Sequence, residues 1–244
     1  MRKSGRLSQE VASSFEKRAI TCRFCTEGRN RSNPASPGAL KCDIKKFFAS
    51  IDHVILISIL AERIVDRAIL ELLKKIIFSF DGGTAGKGLP LGNLTSQLLV
   101  NIHMNEFDQY VKQILKVKHY IRYADDFAIL SSSKNELIEI LQSIGVFLES
   151  KLTLTLHPQK VFINTFASGI DFLGWVHFPT HRVLRTSTKQ RLLRRTEGLT
   201  SHSPAFMSYM GLLKHGNAQK LIEAMSFDRS GGRIHDLAKR QYFM

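Results

Sequence analysis

Two adjacent aspartates lie inside an apolar, β-prone stretch of the chain, HYIRYADDFAIL, which covers residues 119–130. Burying one uncompensated carboxylate costs several kcal/mol, and two carboxylates in contact repel each other. Two arrangements would make the pair tolerable. Asp125 and Asp126 could be solvated at the tip of a surface hairpin, or they could bind a divalent metal ion. The rest of the sequence must show which of these two arrangements applies.

The charge balance favours a polyanionic partner. The 244 residues include 35 Lys and Arg against 21 Asp and Glu, which gives a formal net charge of +14. Solubility alone needs far less net charge. Because each neutralised phosphate releases condensed counterions, such an excess is typical of proteins that bind nucleic acid. A hydrophobic fraction of 43% with 23% charged residues indicates a globular chain rather than a disordered one.

Neither a membrane nor a zinc site is predicted. No apolar run approaches the roughly 20 residues that span a bilayer, and no apolar segment follows the basic N-terminus. The sequence therefore predicts a cytoplasmic protein without a membrane partner. Cys22 and Cys25 form a C-x-x-C pair, but no second pair or histidine motif completes four zinc ligands. Together with Cys42, they are expected to be free thiols.

The order of predicted elements is that of an α+β fold. Strands are expected at 40–44, 119–123, 127–130, 152–156, 161–166 and 172–178, and helices at 53–65, 69–80, 94–115, 134–150, 186–199, 203–216 and 217–225. Three parts follow from this pattern. Residues 1–38 are polar and are predicted to be poorly ordered, 39–180 form the main domain, and 181–244 form a smaller basic helical unit.

The predicted strands place carboxylates where they could meet. Asp43 ends the first strand, and Asp125 and Asp126 lie between the next two. Two-metal phosphoryl transfer needs carboxylates from separate strands that converge on two Mg²⁺ ions roughly 3.5–4 Å apart. Hard divalent cations prefer such oxygen ligands. The spacing is therefore compatible with a two-metal site, although aspartate pairs in solvated turns are also common.

Several segments, in this order, resemble the motifs of one family. LKCDIKKFFASIDH (40–53), GLPLGNLTSQLLVNIHMNEFDQYV (88–111) and YADDF (123–127) resemble the central motifs of reverse transcriptases. GIDFLGWVHF (169–178) resembles the primer-grip turn that follows them. SYMGLLKHGNAQKL (208–221) resembles the helical thumb of the bacterial branch, which includes group II intron, retron and diversity-generating retroelement enzymes. The Ser-Gln dipeptide at 96–97 is more similar to the diversity-generating type.

This resemblance implies a right-hand polymerase fold, with an antiparallel palm sheet, packed helices and a small helical thumb. It implies an RNA-directed DNA polymerase that extends a DNA or RNA primer on an RNA template, using deoxynucleoside triphosphates and two Mg²⁺ ions, with Mn²⁺ as a substitute. Only about 39 residues precede the first motif. Most of the N-terminal fingers is therefore expected to be missing, or to be supplied by a partner chain or a retroelement accessory protein.

The resemblance also assigns roles at the reacting centre. The implied metal ligands are Asp43, Asp125, Asp126 and the backbone carbonyl of Ile44, and Lys160 is implied to protonate the pyrophosphate leaving group. An aromatic ring at Phe48 would exclude a ribose 2′-OH. The implied contacts to the nascent base pair and the nucleotide are Pro90, Gly92 and Gln97. A buried core position for Phe48 and a solvated surface position for Lys160 remain alternatives.

Further residues are implied to contact the primer and template. The primer would lie against Tyr123, Phe172, Gly174 and Trp175, and the phosphate backbone against Lys189, Arg191, Arg194 and Arg195. The alternatives are a plain strand position for the tyrosine, core positions for the other two aromatic residues and a merely solvated basic face for the helix.

Two other functions remain open on sequence alone. The chain could be a non-catalytic, nucleic-acid-binding remnant or accessory protein of a retroelement, or it could be a two-metal nuclease. The nuclease leaves Phe48 and the GLPLGN segment without a role. A phosphate-binding P-loop is excluded for the glycines of 81–93, because no G-K-[ST] follows and no strand directly precedes them.

Overall fold

The structure, a computed structural model, describes residues 37–80, 83–196 and 203–226. These residues form two compact units, which are divided in sequence between Phe166 and Ala167. The sequence pattern predicts the corresponding change near residue 180. All but the last two residues of the predicted N-terminal segment 1–38 lie outside the described residues, and Cys22 and Cys25 lie there too.

A four-stranded antiparallel sheet organises the first unit. Its strands are β1 (Gly38–Asp43), β2 (His119–Tyr123), β3 (Asp126–Ser131) and β4 (Phe162–Thr165), in the spatial order β2–β3–β1–β4. Successive side chains of a strand point to opposite faces. Leu40 and Cys42 are fully buried on one face together with their β3 neighbours. Lys41 and Asp43 therefore lie on the other face.

The described residues of this unit also form five helices. They are α1 (Phe47–Ser50), α2 (His53–Ala61), α3 (Arg67–Phe78), α4 (Leu94–Gln109), which continues into a π-helical turn over Tyr110–Ile114, and α5 (Lys134–Leu152). Four of them begin where a side-chain oxygen accepts a bond from the first free backbone N–H groups; these caps are Asp52, Asp66, Asn93 and Ser133. Among the described residues, none of the helices is long and apolar enough to cross a membrane.

Helices α4 and α5 bury the apolar face of the sheet. Helix α5 packs on β1 and β3 through a stripe of buried residues: Leu137, Ile140, Ile144, Leu148 and Leu152. Gly38 permits this close approach, because a Cβ there would lie 2.8 Å from Leu137 Cδ1. Phe107 of α4 meets the ring of Phe127 edge-on, with centroids 5.1 Å apart.

The second unit has its own small sheet and core. Strands β5 (Ile170–Phe172), β6 (Trp175–His177) and β7 (Arg182–Leu184) form an antiparallel sheet, and helices α6 (Thr186–Thr196), α7 (Pro204–Leu213) and α8 (Gln219–Ser226) follow. The buried side chains of the helical core include Leu192, Phe206, Leu213 and Leu221. Gly216 lies so close to Trp175 that a Cβ at this position would overlap the indole ring.

The predicted α+β class is confirmed, and one predicted strand is wrong. LTLTL (152–156) alternates like a strand, but α5 extends to Leu152 and ends where Thr153 adopts a left-handed φ of 52°. Beyond it, Leu156 forms a single bridge to Ile44. The strand predicted at 172–178 is a hairpin, β5–β6, and β7 was not predicted.

We expect the buried stripe of α5 to carry much of the stability of the first unit. Leu148→Ala removes a fully buried side chain and should lower the free energy of unfolding by about 2–5 kcal/mol. Val146→Ala is the matched control on the same helix, because Val146 is 69% exposed; its change should stay within about 0.5 kcal/mol. Urea unfolding followed by circular dichroism measures both. Equal losses for the two variants would contradict this packing.

Candidate active site

The sheet brings the three predicted carboxylates together. Antiparallel register places Asp43 of β1 directly opposite Asp126 of β3. Tyr123 pairs with Asp126 across the β2–β3 hairpin, so that Ala124 and Asp125 form its turn. The backbone N–H of Ile44 donates to the carbonyl of Asp125 at 3.3 Å, which joins the turn to the end of β1.

Burial and neighbouring negative charge disfavour the charged forms of Asp125 and Asp126. Asp43 is 8% exposed, and the other two carboxylates are only partly exposed. Burial raises the pKa of Asp125, and the neighbouring charges of Asp43 and Asp126 raise it further. Burial also raises the pKa of Asp126, opposed by Lys41 and reinforced by Asp43. The site therefore favours binding of positive charge.

Two lysines supply that positive charge. Lys160 Nζ lies 3.0 Å from Asp43 Oδ2, and Lys41 Nζ lies 3.5 Å from Asp126 Oδ1. The hydrogen bond to Asp43 raises the pKa of Lys160. Lys160 reaches the site because the chain after α5 returns along the end of β1, where His157 N–H donates to the Asp43 carbonyl at 2.8 Å. Lys41 was not predicted, although its position two residues before Asp43 places it on the same face.

The donor chemistry of this cluster fits a divalent cation. Three carboxylates and adjacent backbone carbonyls are the oxygen ligands that Mg²⁺ prefers. Within the described parts of the chain, however, no three His, Cys, Asp or Glu side chains already have the spacing of a metal site. Asp43 and Asp126 are instead bound by lysines, so a cation would have to displace Lys160 and Lys41 from these oxygens.

Backbone hydrogen bonds join the glycine-rich loop to α1. The N–H of Leu89 donates to the carbonyl of Phe48 at 2.8 Å, and the N–H of Gly88 donates to that of Ile51 at 2.8 Å. His53 Nε2 donates to the Gly88 carbonyl at 2.6 Å. The structure thus brings half-buried Phe48 beside the segment that contains Pro90.

Gly92 and Gln97 follow Pro90 on the exposed side of this loop. Gly92 has a φ of +83°, which favours glycine, and nothing lies within 4 Å of a Cβ built there. Gln97 is exposed in the first turn of α4. Both are accessible to a ligand, and their contacts to a nucleotide stay predictions.

The primer and template residues fall into different environments. Tyr123 is half-buried on the carboxylate-bearing face of the first sheet. In the second unit, Phe172 and Trp175 are buried, as expected for the alternative of core aromatics, and Gly174 turns the β5–β6 hairpin with a φ of +83°. Contacts of these residues with a primer stay predictions.

The basic residues of α6 differ in their exposure. Arg191, Arg194 and Arg195 are exposed, and Lys189 is half-buried. Burial lowers the pKa of Lys189. A role in holding a phosphate backbone stays a prediction.

Two further groups near the carboxylates were not predicted to be reactive or functional. Cys42 lies next to Asp43, but burial raises the pKa of its thiol to about 12, so that it is a core residue and not a nucleophile. Arg122, directly behind the hairpin turn, binds Asp108 of α4. An arginine on the helix-facing side of a strand signals a buried acidic partner, but sequence alone does not show which one.

Solved telomerase structures share this fold. A telomerase from Candida tropicalis, truncated from its C-terminal domain, gives a TM-score of 0.54 with 15% sequence identity, over 71% of this chain and 40% of that one. A Candida albicans telomerase in complex with a fragment of telomeric RNA gives 0.52 with 17% identity, over 67% and 33%. The chain thus has a polymerase-type α+β fold.

The family follows from sequence. The profile described as reverse transcriptase (RNA-dependent DNA polymerase) matches residues 6–177, and the chain belongs to this family. The match starts well before residue 40, at which the first recognised motif begins. It therefore includes most of the segment 1–38, which was predicted to be poorly ordered.

Relatives in three organisms agree with this assignment. Protein YkfC of Escherichia coli is 28% identical over 70% of this chain, and the Lactococcus lactis group II intron-encoded protein LtrA is 24% identical over 61%. The putative COX1/OXI3 intron 2 protein of Saccharomyces cerevisiae is 24% identical over 72%. The alignments span 51%, 35% and 29% of these relatives, respectively.

The raised pKa of Asp125 predicts a pH-dependent cost to folding. The folded protein holds this proton more tightly than the unfolded chain, so the cost is absent below the unfolded pKa of about 3.9 and complete above the folded pKa. In EDTA, Asp125→Asn should therefore be more stable than the natural protein at pH 7, and this advantage should vanish as the pH falls below about 4.

Chemical unfolding at a series of pH values measures this difference. Glu149→Gln, which neutralises an exposed carboxylate on α5, is the control. Its free energy of unfolding, relative to that of the natural protein, should change little with pH. A stability gain of Asp125→Asn that is the same at pH 3 and pH 7 would contradict the electrostatic explanation.

Proposed function

We propose that this chain is an RNA-directed DNA polymerase that adds deoxynucleotides to the 3′-OH of a primer. The observation that carries the proposal is the convergence of Asp43, Asp125 and Asp126 at one end of the sheet, in a chain of the reverse transcriptase family. A surface hairpin with two solvated aspartates does not explain why Asp43 lies buried opposite Asp126.

The three carboxylates and the Ile44 carbonyl would hold two divalent cations, as expected for this family. Bound there, Mg²⁺ or Mn²⁺ would lower the pKa of the primer hydroxyl and stabilise the negative charge that develops on the phosphorus and leaving oxygens. Burial, and to a lesser extent repulsion between the carboxylates, raise the pKa values of Asp125 and Asp126, and bound cations would offset both effects, which supports this assignment.

Lys160 is proposed as the acid of the reaction. The primer oxygen forms a bond to the α-phosphorus, the bond to the bridging oxygen breaks, and pyrophosphate leaves. The primer hydroxyl loses its proton to solvent, and Lys160 gives one to the pyrophosphate. The side chain of Lys160 is bonded to Asp43 but is 53% exposed. Because so much of it lies in solvent, it would be able to leave that carboxylate and reach a bound triphosphate. Its raised pKa keeps it protonated at neutral pH.

Phe48 and the adjoining loop are proposed to select and hold the nucleotide. The hydrogen bond from the Leu89 N–H to the Phe48 carbonyl joins the backbone of α1 to the segment that contains Pro90, and the open space around Gly92 would admit a nucleotide. A rigid ring at position 48 would collide with a ribose 2′-OH. Selection of deoxynucleotides follows from this steric exclusion.

The proposed partners are an RNA template, a DNA or RNA primer and deoxynucleoside triphosphates. The net charge of +14 and the exposed arginines of α6 support binding of a phosphate backbone without sequence readout. We further propose that the enzyme belongs to a retroelement, because relatives include a group II intron-encoded protein. The dipeptide at 96–97 favours the diversity-generating type among these.

Primer extension tests the reaction. With an RNA template, a DNA primer, deoxynucleotides and Mg²⁺, the natural protein should extend the primer, and Asp125→Ala should reduce the rate by at least about 100-fold. Glu149→Gln controls for loss of a carboxylate elsewhere and should extend normally. Binding of primer–template without extension by the natural protein would instead indicate an accessory protein. Cleavage of nucleic acid without nucleotides would indicate a nuclease.

Sugar selection tests the role of Phe48. Phe48→Ala removes the ring that would meet a 2′-OH, so the preference for deoxy- over ribonucleotides should fall by at least about 10-fold. The measurement is the ratio of kcat/KM for the two nucleotide types. Phe162→Ala, at a half-exposed aromatic residue of β4, is the control and should leave this ratio unchanged. An unchanged ratio in Phe48→Ala would assign the ring to the core alone.

A further inference from the structure

A buried arginine lies directly behind the turn that carries Asp125. The side chain of Arg122 is 9% exposed, on the helix-facing side of β2. Its guanidinium donates two hydrogen bonds to Asp108 of α4, from Nε to Oδ1 at 2.8 Å and from Nη2 to Oδ2 at 2.6 Å. Such a bidentate pair fixes the orientation of the guanidinium as well as its position.

The remaining arm of Arg122 reaches the turn itself. Nη1 donates to the carbonyl of Ala124 at 3.1 Å and also lies 3.5 Å from Asn101 Oδ1. Ala124 has a φ of +53°, in the left-handed region that costs a residue with a Cβ about 1–2 kcal/mol. A strained conformation persists only where its surroundings hold it in place. The bond from Arg122 to Ala124 is one of the contacts that hold it.

The acidic end of this pair is also constrained. Tyr120 Oη donates to Asp108 Oδ1 at 2.6 Å, so each carboxylate oxygen has a defined donor. Burial and the charge of Asp108 raise the pKa of Tyr120, which keeps the donor proton in place. Burial opposes the charge of Arg122, but its bonds to Asp108 outweigh this and raise the pKa of the guanidinium.

We propose that Arg122 is a positioning residue for the polymerase reaction, holding the Ala124–Asp125 turn at a fixed place relative to α4. This inference rests on the proposed function. Helix α4 begins at Leu94, after the loop of Pro90 and Gly92, and its Asp108 holds Arg122. One rigid helix thereby joins the proposed nucleotide-binding loop to the proposed catalytic carboxylate.

The stability of the fold alone does not require this arrangement. A buried ion pair is often no more stabilising than apolar residues of similar volume, because both charges lose their hydration. The guanidinium of Arg122 donates from all three of its nitrogens. It thereby fixes the orientation of the Ala124 carbonyl and hence the position of Asp125. A displacement of about 1 Å at a reacting centre can reduce a rate about 100-fold.

Arg122→Lys tests this role, because lysine keeps the charge but cannot bond Asp108 twice and Ala124 at once. In primer extension, kcat should fall by about 10- to 100-fold, while the KM for deoxynucleotide stays within about 2-fold. Arg63→Lys is the matched control: Arg63 also pairs with an acidic residue of α4, Glu106, but on the exposed surface. It should keep the natural kcat.

Binding of Mg²⁺ alone gives a second measurement that does not depend on turnover. The rise in melting temperature with added MgCl₂ reports the affinity of the folded protein for the ion. In Arg122→Lys, the Mg²⁺ concentration for the half-maximal rise should increase several-fold relative to the natural protein. A merely structural arginine would lower the melting temperature in EDTA and leave this midpoint unchanged. Asp108→Asn, which weakens the grip from the other side, should shift the midpoint in the same direction.

The two measurements separate this inference from the proposed function. A natural kcat and an unchanged Mg²⁺ midpoint in Arg122→Lys would overturn the positioning role. If the natural protein is stabilised by Mg²⁺ but extends no primer, the proposed function fails, while the midpoint still decides whether Arg122 positions Asp125 for the ion: a shift supports this and an unchanged value overturns it.

Discussion

The repulsion between Asp43 and Asp126 is the constraint on which the rest of the site depends. These side chains face each other because β1 and β3 pair in one register, and the same register buries Leu40 and Cys42 on the opposite face. A slip of one residue would turn Asp43 into the apolar core and expose its neighbours. Hydrophobic burial on one side of the sheet therefore maintains the electrostatic repulsion on the other.

Lysines relieve this repulsion in the structure. Lys41 and Lys160 approach from different segments, one along the same strand and the other from the chain that follows α5. The side chain of Lys160 is 53% exposed, so that water screens its pair with Asp43, whereas Lys41 and Asp126 are 19% and 26% exposed. Counter-ions of this kind would be compatible with the proposed exchange of lysine for a divalent cation at these carboxylates.

Much of this arrangement is readable from local sequence. The apolar residues around Asp125 predict two strands, and the helical pattern of 94–115 predicts α4, because both signals depend on neighbours in the chain. The strand predicted at 152–156 is wrong for a related reason. Leu152 and Leu154 are buried at the end of α5, and an alternating pattern does not distinguish that ending from a strand.

Two features that depend on distant partners were not determined by the sequence. Arg122 required an acidic partner, but nothing in the spacing of the chain selects Asp108 over other acidic residues. Likewise, the motif around Phe172 and Trp175 indicates aromatic residues in a tight turn without showing that both are buried. Tertiary packing decides these points, and it does so through contacts between residues far apart in sequence.

The contact between Gly216 and Trp175 has a consequence for the evolution of the second unit. The glycine leaves just enough room for the indole ring, which also lies under the guanidinium of Arg182. Any side chain at position 216 requires a smaller or displaced residue at 175. These two positions therefore cannot drift independently, and homologous chains that lose the glycine should have replaced the tryptophan as well.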